Sequence, residues 1–250
     1  MEFIKINYFN RVTDLCVIAD KHDTDKSAIR QEGHSHPYSI FYYDLFKGRR
    51  KDKLKIGEIG ILDGGSLCMW NDFFPSASIV GFDSNPRYLN KALKTLSDRP
   101  QIEVDYIDIG KKDVLDEVLE KHGPFDILIE DSTHLFDHQI LFIKTAVDKL
   151  KPGGTMIVED IFITMDHRTG MVHSIDEYMK RLDDKLIQRF ERCYLIHLDH
   201  SNRRSPGWDN DALLVFDGYR PRDGPRDGPR DGLGEDATAP RVRTSEFSDP

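Results

Sequence analysis

Three acidic residues stand at the ends of two apolar runs in the middle of the chain. Asp131 comes shortly after residues 125–129, and Glu159 and Asp160 follow residues 155–158. If the two runs are neighbouring parallel strands, their carboxyl ends gather these side chains, and unpaired carboxylates that close repel each other. A hard divalent cation removes that repulsion, and oxygen ligands favour Mg²⁺, with Mn²⁺ or Ca²⁺ as alternatives. The sequence predicts a metal site here, unless one or two of the acids cap helices or face solvent.

A histidine follows the first of these acids closely enough to serve the same site. His134 lies three residues beyond Asp131. An imidazole changes protonation near neutral pH, so His134 is a candidate for the base that removes a hydroxyl proton, with Asp131 beside it in the catalytic group. A purely structural histidine is the alternative, since the chain has 10. His138 falls on the next predicted helix and is expected at the surface.

A glycine-rich turn follows the first predicted strand, at residues 57–66. It lacks the lysine of a phosphate-binding P-loop and the G-x-G-x-x-G spacing of dinucleotide-binding folds. What remains is Glu58, Gly60 and Gly64 in the spacing E-x-G-x-x-x-G, which is similar to the first motif of class I S-adenosylmethionine-dependent methyltransferases. In that family the turn packs against the methionine part of the cofactor. Ser66 continues the turn and is counted in the predicted cofactor site.

Acids at the ends of the next strands extend that site. Asp83 ends the second predicted strand, where a carboxylate can accept hydrogen bonds from both ribose hydroxyls. Asp108 follows the third strand, at a position that class I methyltransferases use near the adenine, and Glu130 ends the fourth. These residues predict S-adenosylmethionine binding. A nucleotide-binding oxidoreductase or a degenerate Rossmann domain stays open as the alternative.

Alternating strands and helices must position these groups. Apolar runs predict strands over residues 54–59, 78–82, 102–107, 125–129, 155–158, 192–198 and 212–216, with a KPGG turn at 151–154. Helical spacing predicts helices over residues 66–74, 86–96, 112–122, 137–150 and about 174–190. Repeated βα units with apolar strands predict an α/β, Rossmann-like fold, with a mostly parallel sheet and helices on both faces. The last two strands are expected to pair antiparallel at one edge.

The two ends of the chain differ from this middle part. Residues 1–50, with a helix expected over about 7–19, are predicted to form a cap or lid over the carboxyl edge of the sheet, or else a structural helix pair. Residues 51–218 form the predicted methyltransferase domain. Residues 219–250 are rich in Pro, Gly, Arg and Asp and repeat PRDG three times. Because such a segment buries too little apolar surface to offset its ordering entropy, we expect a disordered tail.

Composition limits the partners. The net charge of −9 makes nucleic acid a poor partner, and no apolar stretch resembles a signal peptide or a membrane span. The three cysteines, Cys16, Cys68 and Cys193, form no C-x-x-C pair and are expected to be reduced thiols. We therefore expect a cytoplasmic protein with a small-molecule partner. Assembly into a homo-oligomer stays open.

The chain resembles the metal-dependent sugar O-methyltransferases of macrolide biosynthesis and the related cephalosporin-hydroxylase-like group. The likeness lies in D-x-x-H at 131–134, KPGG followed by VED at 151–160, GGSLCMWNDFFP at 64–75, TDK at 24–26 and HPY at 36–38. It implies that Asp131, Glu159 and Asp160 ligate Mg²⁺, that His134 is the base, and that the acceptor is a sugar hydroxyl. The long N-terminal domain of the macrolide enzymes has no counterpart here, which leaves the acceptor and the quaternary arrangement open.

Two other functions stay open on the sequence. The chain could be a non-catalytic module that binds S-adenosylmethionine or a partner within a biosynthetic complex, or, against its glycine spacing, an NAD(P)-dependent oxidoreductase. The segment between the last two strands either lines the acceptor pocket or faces solvent; it holds His197, Asp199, His200, Trp208 and Asp209.

Overall fold

A single sheet runs through the computed structural model, which describes residues 1–7, 11–30, 35–162, 175–199, 212–221 and 242–244. Its strands are β1 (Glu2–Asn7), β2 (Lys55–Ile59), β3 (Ser78–Asp83), β4 (Ile102–Tyr106), β5 (Phe125–Glu130), β6 (Leu150–Val158), β7 (Phe190–Asp199), β8 (Ala212–Tyr219) and β9 (Val242–Thr244). Their order across the sheet is β4-β3-β2-β5-β6-β8-β7-β1-β9. Only β8 runs antiparallel to its neighbours, β6 and β7, among these strands. The mostly parallel α/β sheet with antiparallel pairing of the last two predicted strands is confirmed.

Helices cover both faces of the sheet. They are α1 (Asp14–Lys21), α2 (Tyr38–Phe46), α3 (Gly65–Phe73), α4 (Pro86–Thr95), α5 (Lys112–His122), α6 (Phe136–Ala146), α7 (Ile175–Arg181) and α8 (Asp184–Ile187). One apolar cluster takes buried residues from α1, α2 and α3, and a second takes them from α5 and α6. No helix in the described ranges has both the length and the apolar character to cross a bilayer.

The apolar strands owe their uninterrupted sequence to burial on both faces. In β5, Ile127 and Ile129 belong to the first cluster and Leu128 to the second. Successive side chains of a strand point to opposite faces, so a strand between two helical layers is apolar throughout. This burial fixes the strand register, and with it the place where each strand ends.

Three elements differ from the sequence-based expectation. In place of the predicted helix at about 7–19 the structure has the shorter α1, whose first turn is capped by the Thr13 side chain accepting from Cys16 N, and before it the strand β1, which was not predicted and pairs parallel with β7. The predicted turn at 151–154 lies within β6, and a register shift opposite Phe125 and Ile127 accommodates it. The predicted helix at 174–190 is interrupted, because Asp183 caps a new helix, α8.

The antiparallel pair β7 and β8 does not lie at the very edge of the sheet, since β1 and β9 extend the sheet beyond β7. Within the tail predicted to be disordered, Val242–Thr244 pairs with β1, so at these three positions the structure differs from the prediction. Residues 222–241 and 245–250 of that tail lie outside the described residues, as do His200, Trp208 and Asp209.

Candidate active site

A cleft of about 770 Å³ opens at the carboxyl ends of β2, β3, β5 and β6. It is lined by Gly60 after β2, Asp83 of β3, Asp131 after β5 and Asp160 after β6. The chain order of the strands reverses between β2 and β5, and open α/β sheets bind ligands at such a switch point. Both sites predicted from the sequence, for the cofactor and for the metal, therefore have residues in one cleft.

The glycine turn brings backbone close to the neighbouring strand end. Gly60 and Gly64 have φ of 92° and 89°, and Gly60 N donates to the Phe82 carbonyl oxygen at 2.8 Å. A Cβ on Gly60 would lie 2.0 Å from the carbonyl oxygen of Asp131. Glycine is required here both by the left-handed backbone and by the close approach of the segment that follows β5.

Gly60→Ala is expected to lower the free energy of unfolding much more than Gly153→Ala, which serves as the control. Gly153 also has positive φ, 76°, but a Cβ there would meet no atom within 4 Å. Gly153→Ala should therefore cost only about 1–2 kcal/mol for the left-handed backbone. Gly60→Ala adds a clash, worth at least about 2 kcal/mol more. Urea denaturation of both variants measures this, and equal losses would contradict the close approach.

Asp83 and Ser66, two of the predicted cofactor residues, line the cleft. The Asp83 carboxylate accepts from Asn85 N at 2.8 Å and Ile61 N at 3.3 Å. It thereby joins the loop after β3 to the glycine turn.

Four other predicted cofactor residues do not line the cleft: Asp108, Gly64, Glu58 and Glu130. Asp108 binds Lys111 Nζ at 2.8 Å and Gly110 N at 3.1 Å, while its neighbours Ile107 and Ile109 face the cleft. The hydrogen bond from Lys111 holds the pKa of Asp108 below its usual value. Gly64 shapes the turn through its backbone and does not contribute to the lining.

Glu58 is fully buried beneath the turn and also lies outside the lining. Its Oε2 accepts from Trp70 Nε1 at 2.9 Å, and its Oε1 lies 3.6 Å from Lys26 Nζ. Burial raises the pKa of Glu58 to about 7, although Lys26 opposes the shift. The Glu58 carboxyl therefore lies below the turn and contacts Lys26 and Ser66, which line the cleft.

The Glu58→Gln variant should become more stable relative to the wild type as the pH rises from 4.5 to about 7. These limits are the ordinary pKa of a glutamate and the pKa of Glu58 in the folded chain. The folded chain holds the Glu58 proton more tightly than the unfolded chain, so ionising the carboxyl costs up to about 3 kcal/mol above that range and nothing below it. Gln avoids that cost and still accepts from Trp70. Urea titrations at several pH values measure the difference, with the exposed Glu117→Gln as control, and a pH-independent difference would refute it.

Glu130 is buried at the end of β5 and holds the loop that follows. Its Oε1 accepts from Ser132 N at 2.9 Å and from Ser132 Oγ at 2.6 Å, and burial raises the pKa of its carboxyl. Glu130 does not line the cleft, but Ser132 does. Its contacts in the structure support the loop from Asp131 to His134.

Asp131, His134 and Asp160 converge at the other end of the cleft. Each offers a ligand atom, and these atoms lie within 4.8 Å of one another. His134 Nε2 is 3.4 Å from Asp160 Oδ2, and His134 Nδ1 is 3.8 Å from Asp131 Oδ1. His134 and Asp160 have φ of 54° and 56°, uncommon for residues other than glycine. Such backbone strain persists where the surrounding structure over-determines it, and it is concentrated at functional sites.

The N-terminal segment supports Asp160 from the other side. Tyr38 donates its hydroxyl to Asp160 Oδ1 at 2.6 Å, and His36 Nε2 lies 3.5 Å from the same oxygen. Burial alone would raise the pKa of Asp160, but His36, His134 and the Tyr38 hydroxyl bring it below its usual value. Asp160 is thus held as a carboxylate at the cleft wall.

Glu159 does not join this group. Its Oε2 accepts from Lys26 Nζ at 2.6 Å and its Oε1 from the Tyr42 hydroxyl at 2.5 Å, both buried. Burial, together with the nearby Asp131, raises the pKa of Glu159 well above its usual value. Of the three predicted ligands, the structure brings two together at the cleft and turns the third toward α2.

The donor set at the cleft suits a divalent cation. Two carboxylates and one imidazole are a combination that Mg²⁺ or Mn²⁺ accepts, the nitrogen favouring Mn²⁺. Among the described residues, His134 Nδ1 is a buried nitrogen without a hydrogen-bond partner. The glycine turn, for its part, lines the same cleft with Gly60 and Ser66, beside the Asp83 carboxylate. The residues present therefore fit both predicted groups.

Four contributing residues were not identified from the sequence as site residues: Lys26, His36, Tyr38 and Tyr42. The sequence signal that could have identified Lys26, His36 and Tyr38 was their presence in the TDK and HPY stretches, which contribute to the family resemblance. His138, expected at the surface of a helix, lies on α6 and pairs with Thr133 Oγ1 at 2.8 Å.

Comparisons with known proteins point to methyltransferases. A family model described as a methyltransferase domain matches residues 58–161. Mycinamicin VI 2''-O-methyltransferase of Micromonospora griseorubida is 28% identical over 160 residues, which cover 61% of this chain and 37% of that protein. A tetracenomycin-C rhamnosyl 3'-O-methyltransferase of Streptomyces olivaceus is 32% identical over 162 residues, covering 61% of this chain and 38% of that protein. The chain spans about two-fifths of these relatives.

Among solved structures, the MycE methyltransferase of the mycinamycin pathway, in complex with Mg, SAH and mycinamycin VI, aligns with a TM-score of 0.64. The alignment covers 87% of this chain and 58% of that one at 22% identity, a likeness of fold. Residues 58–161 therefore match a methyltransferase domain, the fold is similar to that of MycE, and the chain resembles the sugar O-methyltransferases of macrolide biosynthesis.

Proposed function

We propose that this chain transfers a methyl group from S-adenosylmethionine to a hydroxyl of a sugar or sugar-bearing natural product, with Mg²⁺ bound at the cleft. One observation carries the proposal: a single cleft is lined by the glycine turn with Asp83 and by Asp131, His134 and Asp160. A methyl donor and an activated hydroxyl must lie side by side for in-line transfer, and a shared cleft meets that requirement. The names of the relatives, which are O-methyltransferases of glycosylated natural products, support the same reaction.

The cofactor half of the site would work through close backbone approach and one carboxylate. The turn at Gly60 would run along the donor, Ser66 lies in the first turn of α3 beside it, and Asp83 would accept from the ribose hydroxyls. Asp108, Glu130, Gly64 and Glu58 would shape the loops and their supports around the cofactor.

The acceptor half would hold the hydroxyl and remove its proton. A divalent cation held by Asp131 and Asp160 would supply Lewis acidity, which favours the ionised form of an acceptor hydroxyl. His134 would accept the hydroxyl proton as the methyl group passes from the sulfonium to the oxygen, and the donor would be left as a neutral thioether. Glu159 stays a predicted third ligand, and to reach the same cation it would have to release Lys26 or Tyr42.

The part of residues 1–50 that follows β1 would act as the cap of this half. The cleft wall includes a polar set from that segment: Asp23, Thr24, Asp25, Lys26, Arg30 and His36. A wall of hydrogen-bonding side chains suits a small hydroxyl-bearing acceptor. The net charge of −9 argues against nucleic acid as the acceptor.

Calorimetry with S-adenosylhomocysteine and with NAD tests the cofactor, and methyl transfer to sugar acceptors with and without EDTA tests the metal. We expect S-adenosylhomocysteine to bind, and turnover to stop on chelation and return with Mg²⁺. Binding of NAD alone would reject the methyltransferase, and full turnover after thorough chelation would reject the metal. Cofactor binding without turnover on any acceptor would favour the non-catalytic module.

A further inference from the structure

Lys26 is a buried cation inside the acidic cluster. Its side chain is 2% exposed, and its Nζ binds Asp131 Oδ2 and also Glu159 Oε2 at 2.6 Å. Glu58 Oε1 lies 3.6 Å from the same nitrogen. Burying an ammonium group is costly unless carboxylates surround it, so the site of Lys26 is built for a charge.

The backbone around Lys26 is fixed as well. Lys26 N donates to Thr24 Oγ1 at 3.4 Å, and Ser39 N, near the start of α2, donates to the Lys26 carbonyl oxygen at 3.0 Å. Ala28 N donates to Ser39 Oγ at 3.0 Å. These bonds join the Lys26 loop to α2, so the ammonium is presented to the acids from a defined position.

The two oxygens of Asp131 have different partners. Oδ2 faces Lys26, whereas Oδ1 lies on the side of His134 Nδ1, 3.8 Å away. Because the two oxygens of a carboxylate are joined rigidly through one carbon, a bond that holds one oxygen also sets the direction of the other. The oxygen directed toward the candidate metal group is therefore set by the bond that the opposite oxygen makes with Lys26.

We propose that Lys26 is a positioning residue for the metal site: it holds Asp131 through Oδ2, and Glu159 beside it, so that Asp131 Oδ1 is presented to the cation and to His134. The inference rests on the proposed function, since it concerns the same cation. Lys26 acts through Asp131 and stays paired with it when the cation is bound. Partners that orient metal ligands typically change metal affinity by about 10- to 100-fold when removed.

Titration of the full chain with Mn²⁺, followed by electron paramagnetic resonance, tests this for the wild type, Lys26→Met and Lys149→Met. Lys149 is the matched control, because its ammonium bridges Asp116 at 2.9 Å and Glu120 at 2.6 Å outside the cleft lining. We expect Mn²⁺ to bind about 10- to 100-fold more weakly to Lys26→Met and equally well to Lys149→Met. Equal or tighter binding to a folded Lys26→Met would overturn the inference.

A wild type that binds no Mn²⁺ would instead remove the metal from the proposed function, so the two failures are distinguishable. Ethylammonium added to Lys26→Ala should restore part of the Mn²⁺ affinity, which a merely structural defect would not allow.

A measurement on the wild type keeps the inference testable if Lys26→Met and Lys26→Ala both fail to fold. NMR detection of the Lys26 ammonium group, through its hydrogen-bond couplings to the carboxyl carbons of Asp131 and Glu159, is made before and after Mg²⁺ addition. The coupling to Asp131 should persist. Its loss on Mg²⁺ binding would show that the lysine leaves, and would overturn the inference.

Discussion

Asp160→Asn is expected to lower kcat for methyl transfer by about 10³-fold, because a bound cation supplies several kcal/mol of stabilisation and the variant loses a charged ligand. Asparagine is the appropriate replacement. It tolerates the φ of 56° at this position, and its amide oxygen still accepts from the Tyr38 hydroxyl. Alanine would remove that bond and add strain.

Steady-state kinetics at saturating Mg²⁺, with Mn²⁺ titration and S-adenosylhomocysteine calorimetry, measure the effect of Asp160→Asn. Mn²⁺ affinity should fall and the dissociation constant of S-adenosylhomocysteine should stay unchanged, since Asp83 and the glycine turn lie on other strands. Asp137→Asn is the control: Asp137 is exposed and pairs with Arg181 at 2.9 Å. Wild-type turnover in Asp160→Asn would remove Asp160 from the predicted ligands.

Strand ends were the part of the site that could be predicted from sequence. A strand buried on both faces has an apolar run whose end is visible, so Asp83, Asp131 and Asp160 could be assigned to the same edge of the sheet. Two of these, Asp131 and Asp160, converge with His134 in the structure. The end of each apolar run fixed the positions of these acids, because the backbone at the end of a buried strand has a nearly fixed place in the sheet.

The direction of a side chain beyond the strand end could not be predicted in the same way. Glu159 and Asp160 are adjacent, yet one turns to Lys26 and Tyr42 and the other to the cleft. Lys26 is 133 residues away from Glu159 in the chain. A contact over that separation leaves no periodic signal, and only the folded packing of the N-terminal segment decides it.

The errors in secondary structure have the same origin. β1 is short and mixed in composition, and it forms because β7 provides a parallel partner for its backbone. Tertiary pairing of this kind overrides local propensity. The KPGG segment likewise has the composition of a turn, and it lies within β6 where the register with β5 shifts, between the pairs Phe125–Leu150 and Ile127–Thr155.

His134→Asn is expected to lower kcat by about 10²- to 10⁴-fold, the usual contribution of a general base. Asparagine suits the φ of 54° at this position, so the loop after β5 should keep its course. Part of the lost rate should return at higher pH, because hydroxide can then remove the acceptor proton in place of the imidazole. Single-turnover methyl transfer from pH 6 to about 10 measures both effects, the upper limit being near the point where lysines begin to lose charge.

The same variant separates the two roles that the position of His134 allows, because its imidazole lies 3.4 Å from one predicted ligand and 3.8 Å from the other. If His134 is a base, its loss leaves the Mn²⁺ affinity unchanged. If His134 is a metal ligand, its loss lowers the Mn²⁺ affinity. We expect unchanged Mn²⁺ affinity together with the fall in kcat. His138→Asn is the control, since His138 lies on α6, contacts Thr133 in the loop before that helix and does not itself line the cleft. A large loss of Mn²⁺ affinity in His134→Asn alone would reassign His134 from proton acceptor to metal ligand, and the base would then have to be sought among the other cleft residues.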